Sequence, residues 1–157
     1  MKTVWEFLSF IWLADKMVPF IRENHPKWRD DSDQDLYDYL AWFWGKDLLA
    51  VSFTGEEIYG VCTIKLFSEL EDFLSPFVFE PDGKFCMVDL LVAVSPLAIA
   101  DCFETLFGRW GSREVMIWER GERTLASAGA PRMYTWKQYK RLTRRLTYGV
   151  VKDEEGT

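Results

Sequence analysis

Residues 84–94, KFCMVDLLVAV, form the stretch that decides the fold. Apart from its first residue and Asp89, the stretch is apolar at both odd and even positions, which is typical of a strand buried on both faces. Ser95 and Pro96 follow at once, a serine suited to cap a helix and a proline suited to its first turn. The sequence therefore predicts a long central strand that leads directly into a helix ending near Gly108.

The segments before this strand predict a β-hairpin. Residues 48–53 and 58–66 are rich in β-branched and apolar side chains, and the turn residues 54–57 between them include a glycine. A short helix over residues 68–74 and a turn at residues 80–83 complete the path to the central strand.

Two helices are predicted at the start of the chain. The first begins after a Thr3–Glu6 capping box and runs to about Asp15. Residues 17–21 either continue it with a kink at Pro19 or open a second short helix. The second main helix begins in the acidic run at residues 30–35 and ends at Gly45.

The segments after the central strand predict further sheet and a last helix. A strand at residues 114–118, a turn, a return strand at residues 123–127 and a helix at residues 135–146 follow one another. The fold class expected from this order is α+β, an α/β three-layer arrangement with a mixed, mostly antiparallel sheet and helices on both faces. We expect one domain over residues 1–150 and a flexible tail over residues 151–157.

Composition limits the possible functions. The 157 residues carry a net charge of −6, which argues against a surface that binds nucleic acid throughout, and 17% are aromatic, which favours a large core and an exposed aromatic surface for a ligand or partner. Cys62, Cys86 and Cys102 read as reduced core thiols, and with one histidine they predict no metal site. Charged residues interrupt the apolar stretch at residues 4–21, so we expect no membrane span and a cytoplasmic location.

The order of elements resembles the GNAT superfamily of N-acyltransferases over residues 4–146. Within that superfamily, Asp89 in its hydrophobic run and the segment His25–Trp28 resemble the toxin-activating lysine acyltransferases. The resemblance implies transfer of an acyl group from a thioester to an amine, with Asp89 as the base or its orienter and His25 as its partner. It also implies a tyrosine proton donor to the departing thiolate, for which Tyr134 and Tyr139 are the candidates.

The resemblance further implies a donor, acyl-CoA or an acyl-carrier phosphopantetheine, lying along Val92, Val94, Ala98 and Ile99. The turn after the central strand departs from the acetyl-CoA members, because it lacks their glycines and Pro96 removes a backbone N–H donor. This departure counts against coenzyme A and less against a carrier-borne pantetheine arm.

Each candidate residue has a structural interpretation as well. A carboxylate in an apolar strand needs compensation, so Asp89 is alternatively a structural partner of Arg113, Arg123 or a backbone turn. His25, beside a proline, is alternatively an ordinary residue at a helix end.

Residues 132–152 contain seven basic residues and no acidic one. On a helix, five of them share one face: Lys137, Lys140, Arg141, Arg144 and Arg145. This basic face suits an acidic protein, cofactor phosphates or a nucleic-acid backbone, or it pairs with the acidic segments of the chain itself.

Two functions follow from the sequence. The first is an N-acyltransferase, and the second is a catalytically inactive GNAT-like interaction module, such as a phage or mobile-element protein, that binds a host protein or nucleic acid. The missing glycine-rich turn favours the second.

Overall fold

The computed structural model describes residues 3–25, 32–111, 113, 115–117, 133–135 and 138. These residues form three α-helices, a short 3-10 helix and one five-stranded sheet. The order along the chain is α1 (Val4–Asn24), α2 (Asp33–Gly45), β1 (Leu49–Thr54), β2 (Glu57–Phe67), the 3-10 helix (Leu70–Leu74), β3 (Phe85–Ala93), α3 (Pro96–Trp110), β4 (Val115–Ile117) and β5 (Met133–Thr135).

Side-chain caps fix where the helices begin. Thr3 accepts a hydrogen bond from the Glu6 N–H at 3.2 Å, and the Glu6 carboxylate accepts one from the Thr3 N–H, so the predicted capping box is present. Ser32 and Asp35 form a second capping box at the start of α2. The Ser95 hydroxyl accepts from the Ala98 N–H at 3.2 Å, with Pro96 in the first turn of α3 as predicted.

Helix α1 runs without interruption through Pro19 to Asn24. Of the two paths that the sequence left open, the structure has the continuous helix. Pro19 has no N–H, so the helix lacks the hydrogen bond that residue 19 would otherwise donate to the Asp15 carbonyl.

The sheet has the strand order β1–β2–β3–β4–β5 and is antiparallel except between β3 and β4, which are parallel. Helix α3 connects the two parallel strands. The structure thus confirms an α+β fold with a mixed, mostly antiparallel sheet.

A β-bulge interrupts the pairing of the two long strands. Thr63 lies opposite Leu90 and Ile64 lies opposite Val88, which leaves Asp89 as the extra residue on β3. A bulge bends its strand and changes the direction of the local side chains. The residue that the sequence singled out is therefore the irregular point of the central strand.

The hydrophobic core draws on both long strands and on all three helices. Helix α3 approaches β2 closely at Gly60, where an added Cβ would lie 3.2 Å from the Cβ of Ala98. Helix α2 contacts β2 through Tyr39, which bonds to Thr63. The fully or nearly fully buried helical residues are Phe10, Ala14, Met17, Ile21, Leu36, Tyr39, Leu40, Phe43, Ala98, Cys102, Phe103 and Leu106.

The last part of the chain differs from the sequence prediction at one point. We expected a helix from Thr135, but Thr135 belongs to β5, which pairs with β4. The antiparallel partner of β4 is therefore residues 133–135. The predicted return strand at residues 123–127 and the tail at residues 151–157 lie outside the described residues, as does most of the predicted helix at residues 135–146.

Candidate functional site

Asp89 lies in a buried polar cluster. Its Oδ1 is 3.3 Å from the Lys65 Nζ, and its Oδ2 accepts a hydrogen bond from the Tyr39 hydroxyl at 2.5 Å. The Lys65 side chain is 3% exposed and that of Asp89 is 13% exposed. The carboxylate is thus paired with a buried cation and a buried phenol, which compensates for its removal from water.

Further hydrogen bonds hold the cluster in place. The Thr63 Oγ1 lies 2.7 Å from the Tyr39 hydroxyl and accepts from the Leu90 N–H at 3.1 Å. Since the Tyr39 proton goes to Asp89, the Thr63 hydroxyl donates to the Tyr39 oxygen. The Lys65 ammonium also donates to the Ser75 carbonyl at 2.9 Å.

This arrangement limits what Asp89 does chemically. Both of its carboxylate oxygens are engaged, one by an ammonium and one by a hydroxyl. Removal of a substrate proton by Asp89 would require the exchange of one of these bonds. The cluster as it stands links α2, β2 and β3.

The structure places the other residues of the predicted catalytic set elsewhere. His25 is the C-cap residue of α1, and its backbone N–H donates to the Ile21 carbonyl at 2.7 Å. Within the described part of the chain, Asp89 has Lys65 and Tyr39 as its polar partners, not His25. Tyr134 belongs to β5, and its side chain lies outside the described part.

Of the structural partners that the sequence suggested for Asp89, Arg113 forms its hydrogen bonds elsewhere. Arg113 donates to the backbone carbonyls of Gly83 at 3.1 Å and Trp110 at 3.3 Å. Arg123 lies outside the described residues. The observed cation is Lys65, and sequence analysis missed it.

The residues suggested as a cofactor site do not share one environment. Val92 and Ala98 are buried, at 4% and 3% exposure, while Val94 is 52% exposed. The Val94 N–H donates to the Tyr59 carbonyl at 2.9 Å, and the Ile99 N–H donates to the Ser95 carbonyl at 3.3 Å. Two backbone donors near the start of α3 are therefore used within the protein.

A second candidate site is an exposed groove between α1 and β1, which we name the aromatic groove. Its cavity volume is about 470 Å³, and its lining residues are Trp5, Leu8, Ser9, Trp12, Leu13 and Phe53. Trp5 is 79% exposed and Phe53 is 51% exposed, although both are large apolar side chains. Composition predicted an exposed aromatic surface but not its position.

The charged residues that are close to the groove residues in the sequence have separate contacts. The Glu6 carboxylate accepts from the Thr3 N–H at the start of α1, and Glu56 lies in the turn that follows β1. Glu57, the first residue of β2, pairs with Thr54, so its side chain lies on the sheet face opposite Phe53 and accepts from the Tyr59 hydroxyl at 3.0 Å. Lys16 brings one positive charge, with its Nζ 4.9 Å from the centre of the Trp12 ring.

The basic face proposed from the sequence cannot be placed on this surface. Its members lie outside the described residues: Lys137, Lys140, Arg141, Arg144 and Arg145. Gln138, within the same segment, is helical.

The three cysteines are buried and reduced. Burial raises the pKa of the Cys86 thiol to about 12, and burial also raises the pKa of the Cys102 thiol to about 12, with a smaller contribution from the charge of Asp101. Burial raises the pKa of Cys62 well above its usual range. All three are therefore protonated at neutral pH and unsuited to act as nucleophiles.

Two features of the described residues concern metals and membranes. Over the described ranges, no three His, Cys, Asp or Glu side chains come together in a way that could hold a metal ion. None of the described helices, including the 21-residue α1, is both long and apolar enough to cross a membrane.

Comparison with known proteins found no protein family, no curated protein and no solved structure that matches this chain.

Proposed function

We propose that this chain is a non-catalytic, protein-binding module with a GNAT-like fold, and that it binds its partner through the aromatic groove. The fold part of the proposal is supported by the succession of the β1–β2 hairpin, β3, α3 and a parallel β4. It is also supported by the alternation along β2, since Gly60 meets α3 and Thr63, at the opposite parity, meets α2. That alternation supports an arrangement with helices on both faces of the sheet.

The observation that carries the binding function is the exposure of the aromatic groove. Single apolar residues on a surface are common, but a contiguous set of large ones marks an interaction site. Tryptophan and phenylalanine have the largest apolar side chains, so a partner that covers them removes the most apolar surface from water. Trp5, Trp12 and Phe53 supply three such side chains around one cavity.

The Asp89 cluster fits a structural role within this proposal. Its polar groups are satisfied by one another and by backbone groups of the chain. The Ser95 hydroxyl accepts from the Ala98 N–H, a donor that a phosphate at the start of α3 would need. These bonds favour a structural role for Asp89 over a catalytic role in acyl transfer.

A protein partner is favoured over a nucleic acid by charge. The chain carries 25 acidic side chains against 19 basic ones, a net charge of −6. Phosphate backbones bind where positive charge is in excess. The net charge therefore favours a protein partner.

The second candidate function is the N-acyltransferase, and one observation favours it. Asp89 lies at the bulge of the central strand and retains 13% exposure of its side chain. In this alternative Asp89 is the base or its orienter, with His25 and Tyr134 in the roles implied by the resemblance and acyl-CoA or an acyl-carrier protein as donor.

One set of variants tests the proposal against this alternative. The chain and its Asp89→Asn variant are incubated with acetyl-CoA or an acylated carrier protein and lysine peptides, and free thiol is measured. We expect no thiol above background from either chain. The opposite result is thiol release by the natural chain and none by a folded Asp89→Asn variant. That result would show that the protein is an N-acyltransferase and would contradict the proposal.

The binding function is tested by photo-cross-linking in the native cells. A photoreactive phenylalanine analogue is placed at Phe53 or Trp5 in the groove, and at Leu97 in α3 as a control, because Leu97 is 45% exposed and lies outside the groove. We expect discrete protein adducts from the groove positions and none from Leu97. Equal adducts at all three positions, or no adducts at any position, would refute the proposal that the aromatic groove binds a protein partner.

A further inference from the structure

Strand β1 is an open edge of the sheet. It pairs with β2 on one side, and no described strand lies on its other side. The Leu48 carbonyl accepts from the Ile64 N–H at 3.0 Å, so residue 48 faces β2. The backbone groups of an antiparallel strand point alternately to its two sides, so those of Leu49, Val51 and Phe53 point away from β2. Their N–H and C=O groups are in position to pair with a further strand.

The odd-numbered residues of β1 also share one face of the sheet. Leu49 lies opposite Thr63, and Thr63 bonds to Tyr39 of α2. Leu49, Val51 and Phe53 therefore project to the face that carries α2. The bulge near Phe53 places its extra residue on β2, so the alternation along β1 continues to Phe53, which lines the aromatic groove. A strand added to β1 would place alternate side chains on the face that carries this groove.

The edge lacks the protection that edge strands usually have. Natural edge strands avoid pairing with other chains through lysine, proline or inward-pointing charges. The six residues of β1, LAVSFT, include no charged residue and no proline. The groove residues Trp5, Leu8 and Trp12 of α1 are 79%, 50% and 45% exposed. Edge and groove together suit a partner that offers both backbone groups and apolar side chains.

A second copy of β1 meets both requirements. Its outward side offers the same donors and acceptors, and antiparallel pairing about a two-fold axis exchanges them reciprocally. With the axis at Val51, Val51 lies opposite its own copy and Leu49 lies opposite Phe53, so these cross-strand pairs are apolar. On the other face, Ala50 lies opposite Ser52, and both side chains are small. No charged side chain of β1 opposes the second copy in this register.

We propose that two copies of this chain associate through their β1 edges, antiparallel about a two-fold axis at Val51, and form one continuous sheet. This inference rests on the proposed binding function and identifies the partner at the aromatic groove as a second copy. A two-fold axis perpendicular to the sheet keeps its faces, so the α1 helices of both copies lie on the same face. Their exposed Trp5, Leu8 and Trp12 side chains then pack beside the joined strands. Backbone hydrogen bonds and the burial of aromatic surface stabilise the dimer together.

Sedimentation of the full chain over a range of concentrations measures the association. We expect a dimer whose fraction rises with concentration. Phe53→Lys and Leu97→Lys form a matched pair, because the two side chains are 51% and 45% exposed and only Phe53 lies on β1. We expect Phe53→Lys, which replaces an apolar pair by a charge, to raise the dimer dissociation constant at least about tenfold, which corresponds to about 1.4 kcal/mol. We expect Leu97→Lys to leave this constant unchanged.

Hydrogen exchange followed by NMR tests the strand pairing in the natural chain, without any substitution. In the dimer, the Val51 and Phe53 amide hydrogens are bonded across the edge. We expect their exchange to slow as the concentration rises through the dissociation constant. The Ala50 and Ser52 amides, which face β2, are the control, and we expect their exchange to change little.

Several results would overturn the inference. One is a chain that sediments as a monomer at every soluble concentration, and another is equal weakening of the dimer by Leu97→Lys. A third is exchange of the Val51 and Phe53 amides at the same rate in dilute and concentrated samples.

Photo-cross-linking in the native cells separates this inference from the proposed function. If the chain is a monomer and the groove positions give adducts with a different protein, the binding function stands and the second copy is wrong. If the chain is a monomer and the groove positions give no adducts, the binding function is wrong as well. Adducts of two copies of the chain support both.

Discussion

At the scale of single residues, the Lys65–Asp89 pair is a buried ion pair of the described interior. Moving two charges out of water is unfavourable, and their attraction compensates only when hydrogen bonds satisfy the remaining polar groups. Here Tyr39 and the Ser75 carbonyl supply such bonds. The pair is therefore stable as a unit, and loss of one member leaves the other charged and buried.

Substitutions at the pair should show this coupling. We expect Lys65→Met to lower the free energy of unfolding by about 3 kcal/mol, because the Asp89 carboxylate loses its cation. The double variant Lys65→Met with Asp89→Leu should be more stable than Lys65→Met alone. Urea denaturation of the four members of the cycle measures the coupling, and strictly additive effects would show that the two charges act independently.

Asp89 could be identified from the sequence, but its partner could not. A carboxylate in an apolar run is visible in one segment, and it correctly indicated a compensating group. Lys65 lies in a different strand, and its approach depends on the register of β2 and β3 and on the bulge at Asp89. A signal was present, because Lys65 is a charged residue in a mostly apolar stretch of β2. Pairing it with Asp89 would have required knowledge of that register.

At the scale of secondary-structure elements, the caps and turns show why some boundaries were predictable. Thr3, Ser32 and Ser95 act locally, through N–H groups three residues away, so the sequence alone located the helix starts. Strand β5 has three residues and no apolar alternation, and it forms because β4 offers a free edge. Such an element depends on tertiary pairing, which propensity does not encode.

The turn before β3 packs against the end of β2. A Cβ on Gly83 would lie 2.6 Å from the carbonyl oxygen and 2.7 Å from the nitrogen of Phe67, both of them backbone atoms. The Gly83 N–H also donates to the Glu80 carbonyl at 2.9 Å. Glycine is thus required here by close approach of two backbone segments.

Two glycine substitutions should have opposite effects. We expect Gly83→Ala to destabilise the protein by about 1–3 kcal/mol through this clash, and Gly108→Ala to stabilise it by about 0.5–1 kcal/mol, because Gly108 lies in α3 with open space around it. Thermal unfolding of both variants measures the difference. A loss of stability in both would indicate that the cost at Gly83 is not specific to its contact with Phe67.

At the scale of the whole molecule, the three buried thiols couple stability to alkaline pH. Below the ordinary cysteine pKa of 9.0, folded and unfolded chains both hold the thiol protons. Between pH 9 and about 12, the unfolded chain has lost the protons of Cys86 and Cys102 while the folded chain keeps them. Stability is therefore fully present below pH 9 and is lost as the pH rises through this window.

The slope of this loss is measurable. We expect each such thiol to contribute a decrease of up to about 1.4 kcal/mol per pH unit within the window. Denaturation of the natural chain and of Cys86→Ala at several pH values should give a shallower slope for the variant, whatever its stability at pH 8. Identical slopes would mean that Cys86 ionises alike in the folded and unfolded chains.

The same thiols make the protein convenient to label. All three native cysteines are buried and protonated at neutral pH, so maleimide dyes or spin labels should leave the folded chain unmodified. A single cysteine introduced at an exposed position such as Leu97 or Phe53 would then be the reactive one. A pair of such cysteines would give a distance between two probes without first removing the natural sulfur atoms.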